Sequence, residues 1–267
     1  STVERCYKAY LAQKERHRAN AFCPKVLGID EKHFTKKKGY MTTFCDLRRR
    51  KVFDVTMGRS EASLRGYLKK MSGRQNCRVL VMDLSETFRC VGRKHFPNAM
   101  IVADRFHVVK LINHHFLKTW SELDEVGRKS RGLSSLIRRH PENLKPEQVP
   151  KLQRYLDENP AVKALYEFKQ YLMRTVKARV YSKSEARKLI PDFLNCIALL
   201  KESKFKFMKV LGDTLESWQE EIVRMWRFSK TNSITEGLHN RMEEIIRRAY
   251  GFRNFENFRL RVKHYCS

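Results

Sequence analysis

Arg78-Val79-Leu80-Val81-Met82-Asp83 is a short, almost wholly apolar run that stops on an aspartate. Two further stretches repeat its form, Val26-Leu27-Gly28-Ile29-Asp30 upstream and Met100-Ile101-Val102-Ala103-Asp104 downstream. Continuous apolar runs of this length suit strands buried on both faces, inside a sheet with helices packed over it. If such strands run parallel, their carboxyl ends share one edge, which is where open α/β folds bind ligands. Three carboxylates would then gather in a chain with 56 Lys and Arg against 29 Asp and Glu, a formal charge of +27. A local anionic cluster on so cationic a protein points to a divalent-metal site facing a polyanion.

The charge excess itself points to a nucleic-acid partner. A basic ribosomal-type or membrane-surface protein is the plainer alternative. Hydrophobic residues make up 42% of the chain, with 16 Phe and 10 Tyr, which excludes a disordered polymer. No stretch of 18 apolar residues and no leader-like opening is present, so neither a membrane span nor secretion is expected. The expected location is the cytoplasm, in association with the nucleoid. Seven scattered cysteines without a C-x-x-C pair speak against a zinc site or a disulfide framework and for reduced thiols. The chain does not open on methionine, and an upstream portion is expected to be missing.

Outward from the three runs, residues 1–22 read as a helical approach segment and about 25–30 as the first strand. The Lys36-Lys37-Lys38-Gly39 turn leads to a strand at 40–45. A second turn, Leu47-Arg48-Arg49-Arg50-Lys51, leads to another at 52–57, completing an antiparallel meander. The basic tips are expected to be solvated, with phosphate contacts as the minority reading. From Ser60 the period changes: Leu64, Tyr67, Leu68 and Met71 fall at i, i+3, i+4 and i+7 of a helix that Ser60 or Ser63 caps and Gly73 ends. A short helix at about 86–94 separates the second and third aspartate-ended strands. The pattern is a mixed sheet with helices on its faces.

After Asp104 a long helix runs through Phe106, Ile112 and Trp120. About one hundred residues with almost no strand signal follow, punctuated by Pro141, Pro146, Pro150, Pro160 and Pro191, and read as an all-helical lobe. Trp120, Trp218 and Trp226 belong to its core rather than to a stacking platform, and His114-His115 to a helix surface. The tail holds a helix with Leu238, Met242, Ile245 and Ile246 on one face, then a basic-aromatic end, Ala249-Tyr250-Gly251-Phe252-Arg253-Asn254-Phe255. Lys36, Lys37, Lys38, Arg48, Arg49, Arg50, Arg247, Arg248 and Arg253 are the candidates for contact with DNA phosphates.

Breaking or joining a phosphodiester needs an activated oxygen nucleophile and charge compensation at the leaving oxygen, which two Mg²⁺ ions supply together. Magnesium takes a few carboxylates and keeps other positions for water and phosphate oxygens.

The segments Gly28-Ile29-Asp30-Glu31, Val81-Met82-Asp83-Leu84-Ser85, Phe96-Pro97-Asn98-Ala99 and Ala103-Asp104-Arg105-Phe106-His107-Val108-Val109-Lys110 together resemble bacterial DDE transposases of the insertion-sequence ISL-three family. Thr235-Glu236-Gly237-Leu238-His239-Asn240 and Arg248-Ala249-Tyr250-Gly251-Phe252-Arg253-Asn254 fit the same family, so the resemblance spans roughly 25–262. It implies an α/β, ribonuclease H-like core with a mixed five-stranded sheet and flanking helices, interrupted by an all-helical insertion. The division it implies is an approach segment at 1–22, core at 23–119, insertion at 120–230, and at 231–267 the rest of the core with the glutamate helix. The family's usual N-terminal zinc-binding and helix-turn-helix part is not expected within these residues, which the resemblance implies are a catalytic portion.

The implied activity is metal-dependent cleavage at element ends and 3′-hydroxyl strand transfer into target DNA. The resemblance implies two Mg²⁺ ions, replaceable by Mn²⁺, acting on double-stranded DNA in a homodimer on paired ends. In the implied strand order the first strand neighbours the fourth, and adjacent strands lie about 4.8 Å apart. Asp30 and Asp83 are therefore expected to share metal with Glu236. Asp104 and His107 are expected to support the site, with Asp104 in place of Asp83 as the alternative. A regulatory DNA-binding relic and a nuclease on the same fold are the competing functions.

Each carboxylate also has a purely structural reading. Asp83-Leu84-Ser85-Glu86 and Ser233-Ile234-Thr235-Glu236 both have capping-box spacing. Asp104 could cap the following helix, and His107 could be a hydrogen-bonded core residue. Glu31, Glu243 and Glu244 read as solvated or paired with Arg247 and Arg248.

Overall fold

In the computed structural model, which describes residues 2–16, 21–35, 38–228 and 233–267, the three aspartate-ended runs are adjacent strands of one five-stranded sheet. The strands are β1 (Val26–Thr35), β2 (Gly39–Asp46), β3 (Lys51–Met57), β4 (Val79–Met82) and β5 (Met100–Ala103). The helices before the sheet's last crossover are α1 (Thr2–Arg16), α2 (Glu61–Lys70) and α3 (Glu86–His95), and α4 (Arg105–Leu123) follows β5. Then come α5 (Glu125–Lys129), α6 (Arg131–Arg138), α7 (Val149–Glu158), α8 (Pro160–Lys177), α9 (Lys183–Glu202), α10 (Lys206–Ser217) and α11 (Gln219–Met225). The chain closes with α12 (Ser233–Arg248) and α13 (Phe255–Tyr265).

The sheet order is β3-β2-β1-β4-β5. β1 runs parallel to β4, and β4 to β5, while β1–β2 and β2–β3 are antiparallel. This is a ribonuclease H-like arrangement. Ile29 pairs with Met82, and Met82 with Ala103, so Asp30, Asp83 and Asp104 each follow the last rung of the parallel ladder. One expectation needs correction: β1 does not stop at Asp30. It continues to Thr35 because β2 pairs with it antiparallel beyond the end of β4.

The chain divides into two compact units, Ser1–Phe106 with Lys230–Ser267, and His107–Ser229. In the first, Leu27, Ile29, Phe44, Leu80 and Met82 of the sheet pack with Leu64 and Leu68 of α2 and Phe88 and Val91 of α3. Each such side chain contributes about 1.5–3 kcal/mol on burial. α3 lies close to the sheet because Gly92 faces it: a Cβ there would meet Ile101 Cδ1 and Leu80 Cδ2 at 3.0 Å. Ser60 caps α2 as expected, its side chain accepting from Ser63 N.

In the second unit, Trp120, Leu136, Ile137, Leu152, Leu156, Val162 and Tyr166 form one cluster, and Phe193 and Trp226 meet edge to face at 5.8 Å. Trp120, Trp218 and Trp226 are buried, as the sequence indicated. Pro191 does not separate helices but lies inside α9, where buried Phe193, Cys196, Ile197 and Leu200 carry the helix past it. His115 is not on a helix surface either; it is buried, with Nδ1 2.9 Å from the Phe207 carbonyl oxygen.

Candidate active site

The geometry begins with the strand ends. Asp30 is 8% exposed and its Oδ1 accepts from the Glu31 amide at 2.8 Å. Asp83 does not cap α3. Ser85 does, accepting from Phe88 N, and Asp83 Oδ1 is left buried without a hydrogen-bond partner among the described residues. Asp104 is 1% exposed, and its Oδ1 accepts from Phe106 N at 3.2 Å, so it does cap the start of α4. The capping alternative thus fails for Asp83 and holds for Asp104.

Burial pushes the Asp30 carboxyl up to about 7, with the charge of Asp83 next in weight and those of Asp104 and Glu31 adding to it, against the Glu31 amide bond. Burial likewise pushes Asp83 up to about 7, reinforced by Glu31 and Asp104. The sequence reads Glu31 as solvated or paired with Arg247 or Arg248. Glu31 is half-buried, pairs with Arg59 at 3.3 Å and adds its charge to the same edge. A buried and a half-buried carboxylate without a lysine or arginine partner among the described residues form the kind of perturbed group that marks functional sites.

Glu236 lies in the first turn of α12 and is exposed. The next turn of that helix reaches the edge: His239 Nδ1 is 3.8 Å from Asp30 Oδ2, and His239 Nε2 is 3.1 Å from Thr43 Oγ1. Lys32 Nζ ties the helix down further, donating to the His239 carbonyl oxygen at 3.2 Å and to Glu243 at 2.6 Å. Glu243 therefore pairs with Lys32, while Glu244 pairs with Arg248 at 2.5 Å. The charges of Asp83, Asp104 and Glu31 act on Asp30, and those of Glu31 and Asp104 on Asp83, so these four carboxylates form one electrostatic group. No three His, Cys, Asp or Glu residues among those described are placed to hold a metal ion together. The Ser233 side chain, and with it that capping box, falls outside the described residues.

The donor set nonetheless fits a divalent cation. An orphaned buried carboxylate oxygen and two carboxyls raised by mutual burial are groups that a cation would stabilise. His107 belongs to the second unit; burial, and then Lys110, hold its imidazole below the ordinary value.

Arg48, Arg49 and Arg50 stand exposed on the β2–β3 turn, where the amides of Arg48 and Arg49 donate to Asp46 Oδ1. Arg247, Arg248 and Arg253 are exposed at and beyond the end of α12, and Lys38 Nζ donates to the Arg253 carbonyl oxygen. Lys36 and Lys37 lie outside the described residues. The first unit also holds a groove of about 970 Å³ between β3, α2 and α13. Its lining includes Asp54, Tyr67 and Arg259 but none of the strand-end aspartates.

His239 and Thr43 had no assigned role in the sequence. The available signal for His239 was its place three residues after Glu236, on the same side of a helix. Thr43 gave none, because its role comes from pairing opposite Asp30 in β2.

A mixed sheet of this order, with acidic groups at the ends of its parallel strands, defines a ribonuclease H-like core with a candidate metal edge. The model of a family described as Transposase, the DDE transposases of ISL3 type, matches residues 27–262, and the chain belongs to that family. It is also similar to the transposase for insertion sequence element IS1001 of Bordetella parapertussis, at 24% identity over 247 residues, covering 89% of this chain and 60% of that protein. The chain thus spans about 60% of the length of this relative.

Proposed function

We propose that this chain is the catalytic portion of a DNA transposase, cutting at insertion-sequence ends and joining the freed 3′-hydroxyl to target DNA. The observation that carries the reading is the pair at the ends of parallel strands, Asp30 buried and Asp83 half-buried with its Oδ1 shielded, both raised to about 7. Asp30, Asp83 and Glu236 are the residues that would hold Mg²⁺ or Mn²⁺. When bound, such ions supply an activated oxygen nucleophile and charge compensation at the leaving oxygen.

The chain's own residues do the rest. Asp83 offers an oxygen with no internal partner among the described residues. Asp30 keeps one oxygen on the Glu31 amide and turns the other toward His239. Asp104 supports the edge as a cap, its Oδ1 on the Phe106 amide. Glu236 stands one turn before His239 on α12, so the helix that contacts Asp30 also carries the third carboxylate. Lys38, Arg48, Arg49, Arg50, Arg247, Arg248 and Arg253 would hold phosphates of double-stranded DNA, with Lys36 and Lys37 as further candidates. Paired element ends call for paired sites, so a homodimer is the proposed working form. Among the described residues no helix is long and apolar enough to cross a membrane, and the proposed location is the cytoplasm and nucleoid.

The test uses labelled element-end DNA with Mg²⁺ or Mn²⁺. Wild type is expected to cut and join, and Asp30→Asn, Asp83→Asn and Glu236→Gln to do neither. Cutting without joining would indicate a nuclease instead, and binding without cutting a regulatory relic.

A further inference from the structure

The end of α12 carries a tyrosine in an unusual setting. Tyr250 has φ +51, in the left-handed region, and Gly251 follows at φ +96. Tyr250 N donates to the Arg247 carbonyl at 3.1 Å and Gly251 N to that of Ile246 at 2.9 Å, the paired bonds of a Schellman helix end. In that motif the residue at Tyr250 is ordinarily glycine, because a side chain there crowds the backbone. Here the position holds an aromatic ring that is fully exposed, at 101%. The strain therefore gains no packing inside the chain.

The flanks are firm and cationic. Phe252 lies 5.3 Å from the Phe258 ring, with the Arg261 guanidinium 5.3 Å from its own ring. Lys38 Nζ holds the Arg253 carbonyl oxygen. Arg247, Arg248 and Arg253, all exposed, surround the ring in sequence. Strained residues held by a well-anchored backbone cluster where a protein meets a ligand. An exposed aromatic ring among arginines suits a base stacked on the ring with its phosphates on the guanidinium groups.

We propose that Tyr250 is a stacking platform for an unpaired nucleobase, engaging DNA where a base has left the duplex stack. This rests on the reading of the chain as a DNA-acting protein and adds a preference for locally unpaired DNA. A duplex encloses its base faces, so it offers Tyr250 nothing to stack on.

The test measures binding of the full chain to two DNAs of equal length and charge, one fully paired and one with a few internal unpaired bases, including 2-aminopurine. Wild type is expected to prefer the second by about tenfold, with the 2-aminopurine fluorescence quenched on binding. Tyr250→Phe should keep both effects. Tyr250→Ala and Tyr250→Gly should lose both while retaining wild-type affinity for the paired duplex. Tyr250→Gly should also show an unchanged or higher thermal midpoint, since glycine suits the left-handed position, so its loss of binding could not be a folding defect. If wild type and Tyr250→Ala bind the unpaired DNA equally, stacking is overturned and the DNA reading stands. If wild type binds neither DNA, both fall.

Discussion

Asp54 on β3 and Asp30 on β1 lie two strands apart on the same sheet and are almost equally buried, at 7% and 8% exposure. Their surroundings are opposite. Asp54 receives a two-pronged Arg259 guanidinium from α13, Nε at 2.7 Å and Nη2 at 2.5 Å, which drives the Arg259 pKa up. Asp30 faces other carboxylates, and no lysine or arginine among the described residues pairs with it or with Asp83. With 56 Lys and Arg in the chain, cations for such pairing are abundant. The fold therefore neutralises a buried carboxylate where it is structural and leaves two uncompensated at the strand ends. Burial alone does not distinguish the two sites; the missing counter-charge does.

The largest expected effect of that difference is on chemistry. Asp83→Asn should lower strand cleavage by on the order of 10³-fold or more, since charge compensation of this kind supplies several kcal/mol to the transition state. Asp54→Asn should lower it only as far as it lowers the folded fraction. A loss of the same size in well-folded Asp54→Asn protein, measured in the same assay, would break the contrast.

Stability should move in opposite directions at the two sites. Arg259→Met leaves Asp54 buried without its cation and should cost about 3 kcal/mol in denaturant unfolding. Asp83→Asn removes a charge that the metal-free fold holds at a cost, and should stabilise the chain near pH 7 by roughly 1–3 kcal/mol. The sign follows from the raised carboxyls. Below about pH 4 folded and unfolded states are both protonated. Between there and about 7 the unfolded carboxyls ionise while folded Asp30 and Asp83 hold their protons, so their contribution to stability falls as pH rises. The gap between Asp83→Asn and wild type should widen over that interval, and Mn²⁺ should narrow it at neutral pH by stabilising wild type alone. A gap independent of pH would mean that Asp83 ionises normally.

Much of this was legible in the sequence, for physical reasons. Val79 to Met82 in β4 and Ile101 to Ala103 in β5 are buried, so composition alone marks both runs as strands of a helix-covered sheet, although β5 lies at the sheet's edge and Met100 is exposed. The true length of β1 was not legible: past Asp30 only Phe34 is buried, and pairing with β2 keeps Glu31 to Thr35 extended. Asp54 was invisible as a structural site because its partner Arg259 lies 205 residues away. Capping was ambiguous for the same kind of reason. Asp83 and Ser85 are both good helix-start residues, and backbone geometry chose Ser85. Glu236 was quoted from its motif, but where a side chain in a first helical turn points is set by tertiary packing that no local pattern encodes.

The smallest expected effect concerns how α12 reaches the acidic edge. Thr43 and His239 are both buried and share the 3.1 Å contact between Oγ1 and Nε2, with the other ring nitrogen toward Asp30. Thr43→Val keeps the shape of the side chain and removes its hydroxyl, leaving one ring nitrogen without that partner at a cost of about 1 kcal/mol. The ring would then be freer to turn, and the helix that carries Glu236 would lose one of its ties to β2. Groups that orient a metal-binding carboxylate in this indirect way typically change affinity or activity by about 10-fold or more. A several-fold rise in the Mn²⁺ concentration needed for cleavage, at an unchanged maximal rate, is the expected result for Thr43→Val, with Thr43→Ser close to wild type. If Thr43→Val shifts only the unfolding midpoint and leaves the Mn²⁺ dependence unchanged, His239 packs the helix and has no part in aligning Asp30.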